Sequence, residues 1–247
     1  MTVAATQFPL IGSQPIGNFF APDTTQRQPL GSIVAADDPF WGGGEFIYLK
    51  ANATLNQGAA VTWNAAVGFL AINLPNTANQ GCAVAWAIYP MTSGQYGWFK
   101  LSGQVVANCT ASVAAGTTVG ITAAGQLGAN SAGKQILGAT SVQAATATIT
   151  KANTQTQNGS PRLRVSNTDG LFVGLAISGT GIPASTYIGQ ISPDGAGAIL
   201  TMTQSDLATA QNATATGSIT LTGTMNDGTT YYNVLYSDRA FAQGAIT

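Results

Sequence analysis

The sequence predicts an all-β protein with a small β-barrel main domain, an extended N-terminal arm and an inserted small β-sandwich domain. Three observations predict it. Short apolar or alternating runs recur every 10–15 residues, with Gly, Asn and Ser between them, which is the rhythm of sandwiches and barrels. Half of the ten prolines crowd residues 1–40, where neither a helix nor a central strand can run through. Two similar Thr-rich runs, 145–150 (ATATIT) and 213–222 (ATATGSITLT), bracket a stretch of different texture.

Residues 1–40 read as the arm. Pro9, Pro15, Pro22, Pro29 and Pro39 recur every six to ten residues. Yet the segment carries Phe8, Leu10, Ile11, Ile16, Phe19, Phe20, Leu30, Ile33 and Val34. A disordered tail is poor in such side chains, so the arm is expected to be buried against something. It either wraps its own domain or crosses to a neighbour. Phe8, Leu10, Ile16, Phe19, Phe20 and Leu30 are the candidate contacts.

Residues 41–145 with 223–247 read as the main domain. Positions 41–44 (WGGG) form a flexible break, and 45–50 (EFIYLK) a strand. Runs 58–63 and 69–74 follow, then the near-continuous apolar run 82–89 (CAVAWAIY), ended by Pro90. A short helix within 76–88 is conceivable but weakly favoured, because Thr, Asn and Gly are poor helix formers. Run 95–101 alternates and continues as 104–107 after Gly103. Run 117–122 leads into a tight turn at Ala124-Gly125, and 135–140 ends the series. After Asp227-Gly228, the run 231–236 (YYNVLY) is a strong strand that completes this sheet.

Residues 146–222 read as the insert. Its Thr-rich ends would pair as neighbours, bringing the start and finish of the segment together as an inserted domain requires. Inside are the strand-like runs 163–165, 171–177, 187–191 and 199–203, with turns at Asn158-Gly159 and Asp194-Gly195.

Charge sets the function class. Charged residues make up 7% of the chain, against about 25% in an ordinary soluble domain. There is no histidine, and no acidic residue stands between Glu45 and Asp169. The charges in that span are Lys50, Lys100, Lys134, Lys151, Arg162 and Arg164. Most catalytic bases, nucleophile orienters and metal ligands are carboxylates or imidazoles. The composition therefore points away from catalysis, and no cofactor or metal is expected. A net charge of −1 gives little self-repulsion, which suits a subunit packed in an assembly; a secreted β protein with a bland polar surface is the alternative. Residues 1–10 lack the basic and apolar regions of a signal peptide, and no run of about 18 apolar residues suggests a membrane helix. Cys82 and Cys109 lie in apolar runs; free buried thiols are expected, although the sequence alone does not settle pairing.

Candidate motifs dissolve on context. Residues 179–184 (GTGIPA) match a dinucleotide pattern, but Pro183 and the following Ser-Thr-Tyr lead into a strand, leaving no helix N-terminus for a pyrophosphate. Asp37-Asp38 lacks the oxygen ligands of a calcium loop and reads as a solvated turn or cap. Arg162, Arg164 and Lys151 make the insert mildly basic, too little for nucleic acid at a pI of about 5.0. Trp63, Trp86, Trp98 and Tyr96 stand at strand positions and read as core rather than as sugar platforms.

The stretches 94–103 (GQYGWFKLSG), 114–120 (AAGTTVG), 124–127 (AGQL) and 136–139 (ILGA) resemble tailed-bacteriophage head decoration (cement) proteins. The insert, with 173–183 (VGLAISGTGIP), 199–204 (ILTMTQ) and 213–217 (ATATG), is similar to a small β module of phage virion proteins. The resemblance implies a β-tulip-like barrel on the outer capsid surface of the virion, made in the host cytoplasm. It also implies the major capsid protein as partner and self-association, as a trimer. Neither nucleic acid nor membrane is implied as a partner. The alternative function is a receptor- or glycan-binding fibre or spike module.

Overall fold

A computed structural model describes residues 22–38, 42–144, 148–168, 170–193, 197–204, 209–225 and 231–244. The chain divides into two compact units: a discontinuous core unit, in which 4–146 join 228–247, and an insert at 147–227. Strands in chain order are β1 (Ile33–Asp38), β2 (Gly42–Ala51), β3 (Ala60–Asn64), β4 (Leu70–Asn73), β5 (Gln80–Ala83), β6 (Ala85–Ala87), β7 (Tyr96–Lys100), β8 (Ser102–Cys109), β9 (Thr118–Ala123), β10 (Gln126–Ala129) and β11 (Gln135–Gln143). The insert holds β12 (Thr148–Thr156), β13 (Arg162–Val165), β14 (Ala176–Ser178), β15 (Thr186–Pro193), β16 (Ala198–Thr203) and β17 (Gly217–Thr224). The final strand, β18 (Tyr231–Gly244), returns to the core unit. The described helix is one 3₁₀ turn, Ala65–Val67. The fold is all-β.

The core unit has two sheets. The first runs β1-β2-β4-β3-β6-β7, and β2 also pairs with β7, so five strands form a ring with β1 appended. The second runs β11-β9-β10-β8-β18-β5, and β11 also pairs with β18, giving a second ring with β5 appended. Each ring has its own core: Ile47, Leu49, Val61 and Phe99 in the first, Trp86, Val105, Ile121, Leu127, Ile136 and Leu235 in the second. A third cluster of Phe46, Tyr48 and Trp98 covers the outer side of β2 and β7. Hence Phe46, Ile47, Tyr48 and Leu49 are all buried. A strand covered on both faces loses its alternation and reads as an unbroken apolar run.

Two segments cross between the sheets. The apolar run 82–89 is not one strand. β5 pairs with β18 in the second sheet, whereas β6 pairs with β3 and β7 in the first. Between them the Val84 amide donates to the Ala240 carbonyl at 2.9 Å. Likewise β7 leaves the first sheet at Leu101 and continues as β8 in the second. Trp86 sits at this crossing: its Nε1–H donates to Ser237 Oγ at 3.0 Å, and Ser237 donates to the Leu101 carbonyl at 3.0 Å. The bond satisfies a buried indole and ties the final strand to the crossover.

Several expectations are corrected. The 41–44 break is not loop from Gly42 onward: β1 pairs with 42–47 of β2. The glycine at 44 answers a close approach, since a Cβ there would stand 2.3 Å from the Ser102 carbonyl oxygen. Trp41 lies outside the described residues. Asp37 and Asp38 are strand residues opposite Gly43 and Gly42, not a turn or cap. Residues 22–38 lie on the core unit, the arrangement in which the arm wraps its own domain. Asp23 and Tyr96 exchange backbone hydrogen bonds at 2.8 and 2.9 Å, and β1 fits between Pro29 and Pro39 as the appended strand of its sheet. No helix occupies 76–88, where β5 and β6 lie.

The insert closes on itself. Its Thr-rich ends pair as expected, antiparallel from Thr148↔Thr224 to Thr156↔Gly217. The expected sandwich is instead a closed barrel, β12-β13-β16-β15-β14-β17. Closure follows because β17 pairs with β12 on one side and β14 on the other. The run 171–177 is strand only at its end. Residues 171–175 turn (Leu171 N–H to Thr168 O at 2.8 Å, Leu175 N–H to Phe172 O at 3.2 Å) and bury Leu171, Phe172, Val173 and Leu175. Asn158-Gly159 is a turn, with Gly159 at φ 77°; Asp194 and Gly195 lie outside the described residues.

Candidate binding groove and contact face

The insert's surface carries a groove of about 590 Å³ beside the β12–β13 hairpin. Register explains it. β13 pairs with β16 along its whole length, from Arg162↔Thr201 to Val165↔Ala198, but meets β12 only at Gln155↔Arg164. Beyond that pair the two strands part. Alternation then decides what faces outward: Leu163 and Val165 are buried, whereas Arg162 and Arg164 are exposed. Residues two apart on a strand stand about 7 Å apart on one face. Gln155, Gln157, Ser160 and Thr216 line the rest of the rim, with half-buried Ile199 as an apolar wall.

A second surface lies on the core unit. Leu137, Val142, Tyr236 and Phe241 are 44%, 45%, 53% and 41% exposed, and all four belong to the β11–β18 ladder. Leu137 pairs directly with Phe241, and Thr140 with Tyr236, so these side chains share the outer face. The inner positions Ile136, Ala139, Ser141, Leu235 and Ser237 are buried. Between Tyr236 and Phe241, Arg239, in a left-handed bulge at φ 43°, clamps Glu45 with two hydrogen bonds of 2.5 and 2.6 Å. This pairing holds the Glu45 carboxyl below its ordinary value of 4.5.

The lysines of the acid-free span are met by amides and rings. Lys134 Nζ donates to Asn76 Oδ1 at 2.9 Å, Lys151 is buried with its Nζ on Asn167 Oδ1, and Lys50 stands 5.4 Å from the centre of the Tyr96 ring. Lys100 is fully buried with the Phe46 ring 5.4 Å away. Both cysteines are free; Cys109 is buried as expected, and Cys82 is only half-buried. Burial pushes the Cys109 thiol up to about 12. Residues 179–184 form the turn between β14 and β15, with Ile182 N–H donating to Gly179 O at 3.0 Å. Trp86 and Trp98 are buried, and Trp63 packs against the first core.

Of the candidate contacts, Phe8, Leu10, Ile16, Phe19 and Phe20 lie outside the described residues. Leu30 is half-buried on the Ala36–Phe46–Tyr48–Trp98 cluster, so much of its apolar surface serves its own unit. Sequence reasoning missed both surfaces described above. The groove had a signal, the alternation Arg-Leu-Arg-Val directly after a turn. The contact face had little, because the exposed side of 135–142 contains no long apolar repeat. Among the described residues, no three of His, Cys, Asp and Glu group closely enough to hold a metal ion, and no helix is long and apolar enough to cross a membrane. Comparison with models of known families, with curated proteins and with solved structures finds no match.

Proposed function

We propose that the chain is a structural virion protein that binds the outer capsid surface and stabilises the head, as a decoration or cement protein. The carrying observation is the β11–β18 face, where Leu137, Val142, Tyr236 and Phe241 stand exposed together. An interface centre combines aromatic and aliphatic side chains; this face supplies four of them, with exposed Asp238 and the Arg239–Glu45 pair beside them as polar contacts. Burying such side chains contributes at about 25 cal/mol per Å² of apolar area. The apolar side chains of residues 1–20, among them Phe8, Phe19 and Phe20, are further candidate contacts. The partners are the major capsid protein and further copies of the chain, arranged with closed symmetry as a trimer. Many weak contacts then act together on the lattice. The action is binding without turnover.

The test is quantitative binding of the purified chain to capsids stripped of it. Leu137→Asp/Phe241→Asp should fold normally and lose capsid binding at least tenfold. Equal binding would sink the assignment of this face. Removal of residues 1–20 should also weaken binding. A second reading, a receptor- or glycan-binding spike module, is favoured by the arginine-lined groove. Copy number on purified particles separates the two: a decoration protein covers the shell, whereas a spike is present in few copies.

A further inference from the structure

We propose that the groove beside the β12–β13 hairpin binds a carboxylate-bearing saccharide, with Arg162 gripping the carboxylate and the rim amides and hydroxyls holding the sugar hydroxyls. The argument concerns the insert alone and stands apart from capsid binding.

Charge comes first. Arg162 and Arg164 project from one face of β13, and among the described residues no carboxylate lines the groove. No ion pair or side-chain hydrogen bond occupies the Arg162 guanidinium among the described residues. A guanidinium presents parallel donors that match a carboxylate in bidentate fashion.

The remaining polar atoms have defined vacancies. Gln155 Nε2 donates to Asn153 O at 3.1 Å, which leaves its Oε1 as an acceptor. Ser160 Oγ accepts from Arg162 N–H at 3.2 Å, and Thr216 Oγ1 from Asn158 N–H at 2.9 Å. Each hydroxyl therefore keeps its own proton to donate. Donors and acceptors interspersed on an open rim suit a chain of vicinal hydroxyls.

Other ligand classes fit worse. Ile199 and buried Leu163 are the apolar lining, too little for a ligand held mainly by hydrophobic burial. Among the described residues no aromatic ring lines the groove, so neither a nucleobase nor a neutral sugar finds a stacking platform there. Binding must then come from charge-assisted hydrogen bonds, which a neutral sugar cannot make and an acidic one can. The volume of about 590 Å³ falls within the range of about 300–1,000 Å³ usual for small-ligand sites.

The experiment titrates the full-length protein, by calorimetry or NMR, with four probes: a galacturonate trisaccharide, a neutral galactose trisaccharide, inorganic phosphate and a Glu-rich peptide. The uronate should bind at least tenfold more tightly than the other three, and less tightly as salt rises. Arg162→Ala should reduce uronate affinity by about tenfold or more with an unchanged melting temperature, because the side chain is exposed. Arg162→Lys, which keeps the charge but loses the fork, should fall between the two. Equal binding of the neutral sugar, or uronate binding that ignores Arg162→Ala, would overturn the proposal. Phosphate or peptide binding as tight as the uronate would do the same, reducing the groove to an unspecific anion patch. None of these outcomes bears on capsid binding, which is measured separately.

Discussion

Asn233 is where a single side chain should matter most to stability. It is fully buried on β18, facing the second ring. Its Nδ2 donates to the Val113 carbonyl at 2.7 Å and to Ser141 Oγ at 2.9 Å, and its Oδ1 accepts from Val113 N–H at 3.4 Å. The amide thus fastens the β8–β9 connection onto the sheet that holds β18 and β11. Asn233→Ala removes all three bonds. Two good buried bonds are each worth about 1 kcal/mol net, and an orphaned buried N–H at Val113 costs about 1–3 kcal/mol more. The sum is a loss of about 3–5 kcal/mol, or roughly 10 °C in melting temperature for a unit of this size. Urea unfolding followed by tryptophan fluorescence measures it cleanly, because residues 147–227 contain no tryptophan and the signal reports the core unit. Ser141→Ala alone should cost about 1 kcal/mol, since Ser141 also donates to Val113 O at 3.3 Å. The double variant should cost less than the sum of the two, by about 1 kcal/mol. A loss below about 1 kcal/mol for Asn233→Ala, or strict additivity of the pair, would refute the account of a shared buried network.

Thiol chemistry gives a second prediction. With its thiol raised to about 12 by burial, Cys109 should resist alkylation at pH 8, whereas half-buried Cys82 reacts. Intact-mass analysis should show one adduct on the native protein and two after denaturation. Glu45 gives a third. Its pKa is depressed by Arg239, so its stabilisation is present above the ordinary value of 4.5 and is lost as pH falls through the lower folded value. The urea-midpoint gap between wild type and Glu45→Gln should therefore shrink from pH 6 to pH 2.5; a constant gap would contradict the pairing. Gly44→Ala is the fourth. It places a Cβ 2.3 Å from the Ser102 carbonyl oxygen and should cost about 1–3 kcal/mol, while Gly43→Ala, with open space around it, should cost far less in the same denaturation assay.

The sequence by itself determined that the fold is all-β, where most strands lie, and that the Thr-rich runs 145–150 and 213–222 belong side by side; the strands 148–156 and 217–224, which overlap those runs, pair. Local chemistry carries those facts: alternation, β-branched residues, and Gly or Asn at turns. It also determined the shortage of charge, and with it the kind of surface the protein presents. Only the tertiary structure decided that 82–89 and 96–109 each cross from one sheet to another, because an apolar run looks the same whichever sheet buries it. It alone placed glycines 42–44 inside a strand, since the reason is a carbonyl oxygen of β8, far along the chain. Closure of the insert into a barrel rests on which strands β17 meets, a matter of long-range register. The acid-free span shows the division most clearly. Composition established that carboxylates are missing there; the fold decided that asparagine amides receive Lys134 and Lys151, while Arg162 turns outward on an open groove. A side chain's role follows from which face its strand presents, and that face is chosen by neighbours distant in sequence.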